Sequence, residues 1–200
     1  MKVDILYKPS YSMANVHLDG NERISVEAGS MVAMSRDIQV ETRMKGGLMK
    51  SLARSVLGGE SFFINTYQAG GSGGELDLAP TLPGDIFTLE LSNETFIVQS
   101  GSFLASGEQV ETDTKWGGAK TFFGGEGLIM LKCSGSGTLI LSSYGAIHEL
   151  KLKAGETFTV DYSLWANVIT RAEFRWDRDL RGGPGVFGNP DSSGIGWRVP

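Results

Sequence analysis

The chain has 200 residues, of which 40% are hydrophobic, 10% aromatic and 20% charged. These proportions exclude a disordered chain, and no apolar run has the length of a membrane helix or a signal peptide, so we expect a globular cytoplasmic protein. A net charge of -5 disfavours general nucleic-acid binding, because an acidic surface repels phosphate. The single cysteine, Cys133, permits no intrachain disulfide and is predicted to be a small buried residue.

Apolar residues alternate with polar ones in several short stretches, which is the period of a half-buried strand. Examples are Leu76 and Leu78 on either side of Asp77, and Phe87, Leu89 and Leu91 in the next stretch. Turn residues separate the stretches, as at residues 19–21, 83–85 and 135–137. The glycine run at residues 70–74 precedes alternating leucines, so it predicts a hairpin turn and not a phosphate-binding loop. The pattern predicts an all-β sandwich or barrel.

The sequence also repeats itself. The block at residues 21–33 recurs at 93–105 without insertion or deletion, and a third copy, shorter by one position, lies at 155–166. Residues 40–42 recur at 110–112, and the block at 58–63 recurs at 124–129. We therefore predict a single domain of three β-units, 1–58, 59–124 and 125–200, packed around a pseudo-threefold axis.

These blocks resemble the altered-inheritance-of-mitochondria family, most of whose bacterial members are uncharacterised. The resemblance lies in the Gly-Gly-Glu turns, the segment 100–106, and residues 125–128 followed by 141–146, and it covers residues 10–170. It implies the all-β fold named after the tryptophan-RNA-binding attenuator protein (TRAP), and it implies no catalytic residues. Residues 171–200 depart from the family pattern, and the tail at 183–200 is predicted to cover a sheet edge or to be poorly ordered.

Catalytic, metal and cofactor sites are not predicted. Two distant histidines and one cysteine lack metal-ligand spacing, and His148 is interpreted as a partly buried residue on a strand face. No strained serine turn supports a triad of Ser143, His148 and Asp161. Glu60 and Glu126 occupy equivalent places after Gly-Gly pairs, so a small-ligand or acid–base site remains an alternative to a structural role at turns.

One segment has helical periodicity. Leu48, Leu52 and Val56 recur at every fourth position, which predicts a short helix at about 48–57. Lys45, Lys50 and Arg54 make this region basic within an acidic protein. They are the candidate binding residues, for an anionic membrane surface or an acidic partner, although a helix capping the open end of the barrel explains the same pattern.

The sequence favours a non-enzymatic protein that acts through its surfaces, because repeated β-units leave sheet edges and apolar patches for a symmetric partner to cover. Self-association into a homo-oligomer is the first expectation. The alternatives are a membrane-peripheral scaffold that uses the basic helix, a small-ligand binder or enzyme that uses Glu60 and Glu126, and an RNA-binding protein by analogy with the superfamily.

Overall fold

The computed structural model describes residues 1–41, 64–113 and 128–149, together with short strands at 55–57, 60–62, 122–123, 157–161, 169–170 and 194–198. Within these residues the fold is all-β, as predicted, and the only helical turn is a 3-10 turn at Ser100–Ser102. The strands, in chain order, are β1 Lys2–Leu6, β2 Met13–Leu18, β3 Arg23–Glu27, β4 Met31–Met34, β5 Ile38–Glu41, β6 Ser55–Leu57, β7 Glu60–Phe62, β8 Ile64–Ala69, β9 Gly74–Leu78, β10 Gly84–Gln99, β11 Phe103–Gly107, β12 Val110–Asp113, β13 Phe122–Phe123, β14 Leu128–Tyr144, β15 Thr157–Asp161, β16 Ile169–Thr170 and β17 Gly194–Arg198.

Two sheets form the body of the protein. The first has the order β1-β2-β9-β4, and the second has the order β16-β10-β14-β11-β3-β8-β5, with β12 and β13 also paired to β14. All pairings between these strands are antiparallel. Two further pairs, β6 with β7 and β15 with β17, stand as separate ribbons.

The predicted glycine turn at residues 70–73 exists, but it is not a hairpin. It leads from β8 in the second sheet to β9 in the first sheet, and those two strands do not pair with each other. The turn packs instead against the turn at residues 19–22, where the Asn21 amide donates to the Gly70 carbonyl at 3.0 Å. The two turns therefore form a corner at which the chain crosses twice between the sheets.

Two long strands, β10 and β14, pair along almost their whole length, with a bulge between Ser92 and Glu94. Asn93, at that bulge, and Gly135, opposite it, both have positive φ angles (59° and 128°). A side chain at position 135 would also collide with the carbonyl oxygen of Gln109, so the close approach of β12 requires glycine there. The long ribbon bends at this point instead of breaking into separate strands.

The apolar residues form two cores. The first lies between the two sheets and includes Val16, Leu76, Ile24 and Ile140. The second is enclosed by the bent β10–β14 ribbon and its neighbours, and it includes Phe103 and the residues that alternate with Ile140, namely Leu139 and Leu141. Alternating residues in the sequence also predict a half-buried strand at Leu139–Leu141, and this prediction is wrong, because β14 buries one face in each core.

The strand pairings recur along the chain at the spacing of the sequence blocks. β4 pairs with β9, and β11 pairs with β14, and each pair has a bulge after its first residue. Leu78 faces Met31 in the first pair, and Leu141 faces Phe103 in the second. Met31 and Phe103 occupy the same place in the two copies of the block, at 21–33 and 93–105.

The offset between those two blocks also relates β5 to β12. Ile38 lies opposite Ala69, and its counterpart Val110 lies opposite Gly135. The sequence match aligns residues 40–42 with 110–112, whereas the strand register aligns Ile38 with Val110. The two alignments differ by two positions, because the first follows residue identity and the second follows strand pairing.

The helix predicted at about 48–57 is wrong in its last three residues. Ser55–Leu57 form strand β6, which pairs with β7 so that Leu57 lies opposite Glu60. Gly-Gly is a typical link of a tight hairpin, and Gly58 and Gly59 occupy that place in the sequence, so the local turn preference outweighs the helical periodicity. Residues 48–54 lie outside the described residues.

Candidate functional site

The basic binding residues predicted from the sequence, Lys45, Lys50 and Arg54, lie outside the described residues. The same is true of Glu126 and of the Glu60 side chain, although the Glu60 backbone begins β7. The roles predicted for these five residues therefore remain predictions.

The residues of the disfavoured catalytic triad lie in three different places, and the third of them, Asp161, is the last residue of β15. Ser143 lies near the end of β14, and its hydroxyl donates to the Gly145 carbonyl at 3.2 Å. His148 lies beyond the end of β14 and is exposed. The prediction that His148 is partly buried on a strand face is thus wrong, because the strand ends before it.

Cys133 is fully buried in the second core, as predicted. Burial raises the pKa of its thiol to about 12, although a hydrogen bond with Thr112 works in the opposite direction. A thiol in this environment stays protonated at physiological pH and packs as a small apolar side chain.

A band of charged side chains crosses the outer face of the first sheet. His17 on β2 lies between two carboxylates, with Nε2 3.5 Å from Asp4 of β1 and Nδ1 3.5 Å from Glu75 of β9. Lys2 donates to Asp4 at 2.7 Å, which lowers the pKa of that carboxyl. In the part of the chain that the structure describes, no three His, Cys, Asp or Glu side chains are placed to hold a metal ion.

Glu27 is the acid with the most perturbed ionisation in the described residues. Burial at the end of β3 raises its pKa to about 7, and the Ser30 hydroxyl, which donates to its Oε2 at 3.3 Å, partly offsets that effect. The Ser30 amide also donates to the Glu27 carbonyl at 3.2 Å. The carboxyl therefore sits against the turn that leads into β4, where it can bind and release a proton near neutral pH.

The loop between β1 and β2 docks on the start of β10. Ser12 makes two contacts there, since its amide donates to the Gly84 carbonyl at 3.0 Å and its hydroxyl donates to Asp85 Oδ1 at 2.8 Å. Asp85 is buried, and the exposed Lys8 ammonium lies 3.5 Å from the same oxygen. These contacts hold the loop firmly against the β10–β14 ribbon.

The docked loop carries exposed aromatic rings. Tyr7 and Tyr11 are 70% and 74% exposed, and Tyr7 has a positive φ of 59°, which is unusual for a residue with a bulky side chain. Leu82 and Tyr144, which flank the docking point at Gly84, are also exposed. Gly84 pairs directly with Tyr144 across the ribbon. We call these four residues, Tyr7, Tyr11, Leu82 and Tyr144, the tyrosine surface.

The sequence analysis did not find the tyrosine surface. Its residues come from three separate segments, and each is an ordinary loop or strand-end residue when it is read alone. The loop at residues 7–12 contains Lys8-Pro9 beside two tyrosines, which is the only local signal, and aromatic residues in loops are more often packed than exposed. The contacts of Ser12 and Lys8 with the start of β10 bring the segments together.

A model of one protein family matches residues 3–177, which is most of the chain. That family is AIM24, described as mitochondrial biogenesis AIM24. The chain belongs to the AIM24 family. Its membership confirms the resemblance that the repeated blocks indicated.

Two Streptococcus pyogenes proteins are similar to this AIM24-family chain. An uncharacterised protein of serotype M6 is 31% identical over 188 residues, which cover 90% of this chain and 72% of the relative. The X-ray crystal structure of another protein from that species has a TM-score of 0.73 and 27% identity, and the match covers 99% of this chain and 89% of the other. Neither similarity carries a described activity.

Within the described residues, no helix is long and apolar enough to cross a membrane.

Proposed function

We propose that this AIM24-family protein is a non-enzymatic scaffold that associates with further copies of itself through its surface. The observation that carries the proposal is the tyrosine surface, where rings of Tyr7 and Tyr11 stand in solvent on a loop fixed by the Ser12–Asp85 contact. Exposed apolar groups that are held rigidly favour binding, because little conformational entropy is lost when a partner covers them.

The charge of the protein favours this surface as the site of self-contact. Two copies with a net charge of -5 repel each other, so they associate best where uncharged side chains meet. The four members of the tyrosine surface are uncharged, whereas the outer face of the first sheet carries Asp4 and Glu75. Tyrosine also combines a large apolar face with a polar tip, which suits an interface that is exposed before assembly.

The proposal includes the arrangement predicted from the sequence, a TRAP-like assembly of three β-units in a cytoplasmic protein. The constant offset between the β4–β9 and β11–β14 pairings supports the repeated unit. RNA binding is not part of the proposal, since fold likeness is an analogy and the net charge opposes it.

A non-enzymatic role is supported by what two buried side chains of the described residues do. The Asp85 carboxylate accepts hydrogen bonds from Ser12 and from the Ile86 amide. The Cys133 thiol is buried and has a raised pKa. Both groups serve the packing of the fold, which is the role expected of a scaffold.

Sedimentation equilibrium across micromolar concentrations tests self-association. We expect the parent chain to form oligomers and a Tyr7→Asn/Tyr11→Ser variant to dissociate at least tenfold more readily, since about 1.4 kcal/mol of lost interface energy is a factor of ten. Asparagine is chosen at position 7 because it tolerates a positive φ. Val32→Thr, which changes an exposed apolar residue of β4, is the matched control. A parent that stays monomeric, or a tyrosine variant that associates like the parent, contradicts the proposal.

A further inference from the structure

β1 is an edge strand of the first sheet. Among the strands that the structure describes, it pairs with β2 alone, and Val3 lies opposite Val16. Val16 is fully buried, whereas Val3 and Ile5 pack against the same core and remain partly exposed. The flank of the first core along β1 is therefore incompletely covered, and a further strand placed there buries more apolar surface.

The other face of β1 carries one charge of each sign. Lys2 and Asp4 lie two residues apart on the outer face, where the Lys2 ammonium donates to Asp4 Oδ2 at 2.7 Å. Their side chains are 73% and 42% exposed. Because the two charges cancel, β1 adds no net repulsion between two copies of an acidic protein. Charged residues protect an edge against most other strands, so a partner strand needs a matching pattern of charges.

The sequence of β1 matches itself in an antiparallel pair. When the two-fold axis of such a pair passes through Val3, Lys2 of each copy lies opposite Asp4 of the other. Val3 lies opposite its own counterpart, and Ile5 lies opposite Met1 of the other copy, whose side chain also packs against the first core. Apolar side chains thus meet on the core face, and opposite charges meet on the outer face.

The neighbouring registers of the same pair lack this match. A shift by one position sets the core face of one copy against the outer face of the other, because side chains alternate along a strand. A shift by two positions places Asp4 opposite Asp4 of the second copy in one direction, and Lys2 opposite Lys2 in the other. Like charges directly opposite each other destabilise a strand pair, so the charges select one register.

We infer that β1 is the docking edge for β1 of a second copy, in an antiparallel pair that sets Lys2 opposite Asp4. The two four-stranded sheets then form one continuous sheet across the two-fold axis. The contact is small, since β1 has five residues, so we expect a weak and reversible dimer. This contact uses different residues from the tyrosine surface, and it goes beyond the proposed function without depending on it.

Complementary charge reversals test the pairing. In a Lys2→Glu variant the new carboxylate faces Asp4 of the second copy, and in an Asp4→Lys variant the new ammonium faces Lys2. We expect each variant alone to dimerise at least about tenfold more weakly than the parent, because like charges meet twice in each dimer. An equal mixture of the two variants restores opposite charges at both positions, so we expect it to dimerise as the parent does. Sedimentation equilibrium measures the parent, each variant and the mixture.

Glu75→Lys is the matched control for Asp4→Lys. Both substitutions make the same change of charge on the outer face of the first sheet, and both carboxylates lie 3.5 Å from His17. Glu75 differs in that it lies on β9, between β2 and β4, so we expect its variant to dimerise as the parent does. The two variants in the mixture both remain net negative, so attraction between oppositely charged chains does not explain a mixed dimer.

The outcomes separate this contact from the tyrosine surface. A Lys2→Glu variant that dimerises like the parent overturns the inference and leaves the tyrosine surface as the contact. A mixture that associates as weakly as the separate variants overturns the inference as well, as does a parent that stays monomeric. Restored dimers in the mixture support the inference, and they do so even if the Tyr7→Asn/Tyr11→Ser substitutions leave association unchanged.

Cross-linking at the two-fold axis gives a second measurement. A Val3→Cys variant brings two thiols opposite each other, with Cβ atoms about 4.5–5.5 Å apart, and we expect oxidation to join the two copies by a disulfide. In an Ile5→Cys variant the two thiols lie four positions apart along the paired strands, about 13 Å, so we expect at least about a fivefold lower yield. The native thiol of Cys133 is buried and does not compete. Equal yields from the two variants overturn the inferred register.

Discussion

The Ser12 hydroxyl donates a 2.8 Å hydrogen bond to the buried carboxylate of Asp85, in a distant part of the chain. This contact fixes the loop between β1 and β2 to the β10–β14 ribbon and so joins the two sheets at one corner. It also positions the loop that bears Tyr7 and Tyr11.

The Ser12→Ala substitution tests the strength of this contact. We expect it to lower the free energy of unfolding by about 1.5–3 kcal/mol, because the hydrogen bond is made to a charged group and its loss leaves a buried carboxylate short of one donor. Urea unfolding provides the measurement, with Ser10→Ala, in the same loop but exposed, as control. Equal unfolding energies for the two variants would show that the contact does not stabilise the fold.

The Gly135→Ala substitution tests the bend in the long ribbon. Position 135 has a φ of 128° and an added Cβ would collide with the Gln109 carbonyl oxygen, so we expect a loss of more than about 2 kcal/mol in unfolding free energy. Gly101 is the matched control, because a Cβ there meets nothing within 4 Å. Thermal unfolding of the two variants compares them, and a Gly101→Ala variant as unstable as Gly135→Ala would contradict the explanation.

Glu27 predicts an unusual pH dependence of stability. Its carboxyl has a pKa of about 7 in the folded chain, above its ordinary value of 4.5. The folded state therefore binds the proton more tightly than the unfolded state, so the contribution of Glu27 to stability is fully present below pH 4.5 and is lost as the pH rises to 7. At about 1.4 kcal/mol per pKa unit the full loss, reached above pH 7, is at most about 3.5 kcal/mol.

The measurement is the difference in unfolding free energy between the parent chain and Glu27→Gln from about pH 4.5 to 8. The glutamine variant keeps a similar shape but cannot ionise, and glutamine already stands at the equivalent position of the second block, Gln99. We expect the variant to gain stability relative to the parent across this range. Parallel pH curves for the two chains would mean that Glu27 titrates normally.

Cys133 is expected to be unreactive in the folded chain. Burial keeps its thiol protonated, and the thiolate is the reactive form. A thiol reagent such as dithionitrobenzoate should modify it rapidly in denaturant, and at pH 8 without denaturant only as fast as the protein unfolds. The Ser72→Cys variant, which places a thiol in an exposed turn, serves as the reactive control. Fast native modification at Cys133 itself would contradict its burial.

The basic segment provides a test of the membrane alternative. We expect the parent chain and a Lys50→Glu/Arg54→Glu variant to float equally with anionic vesicles. The reason is that Ser55–Leu57 form a strand, so the predicted amphipathic helix that would bind the lipid surface loses its last three residues. Vesicles of neutral lipid are the control. Flotation of the parent on anionic vesicles that the variant loses would favour the membrane-peripheral role instead.

Local patterns were sufficient to predict the strands that lie at one side of a single core. Leu76 and Leu78 alternate with Asp77, and both leucines are buried while Asp77 is only partly buried. The sequence could not distinguish such a strand from β14, where Ile140 and its neighbours are all buried, because contact with a second core depends on distant segments. Alternation predicts which residues share a face, and tertiary packing decides whether the other face meets water.

The tyrosine surface was beyond prediction for a similar reason. The exposure of Tyr11 depends on where its loop docks, and that is decided by the Ser12–Asp85 contact between residues far apart in sequence.

The helix prediction was wrong for a different reason. The helical apolar repeat and the Gly-Gly turn signal favour different conformations of Val56. The turn preference of Gly-Gly outweighed the helical repeat, because a helix of only about ten residues gains little stability from its own hydrogen bonds.

β14 contributes side chains to both cores, and the strand is complete only after residue 144 has been synthesised. During synthesis, Phe103 and Leu104 thus leave the ribosome with nowhere to be buried for some forty residues, which takes several seconds at the ~5–20 residues per second of translation. Newly made chains therefore expose apolar residues of both cores until β14 is complete, and we expect a chain truncated before β14 to be prone to aggregation.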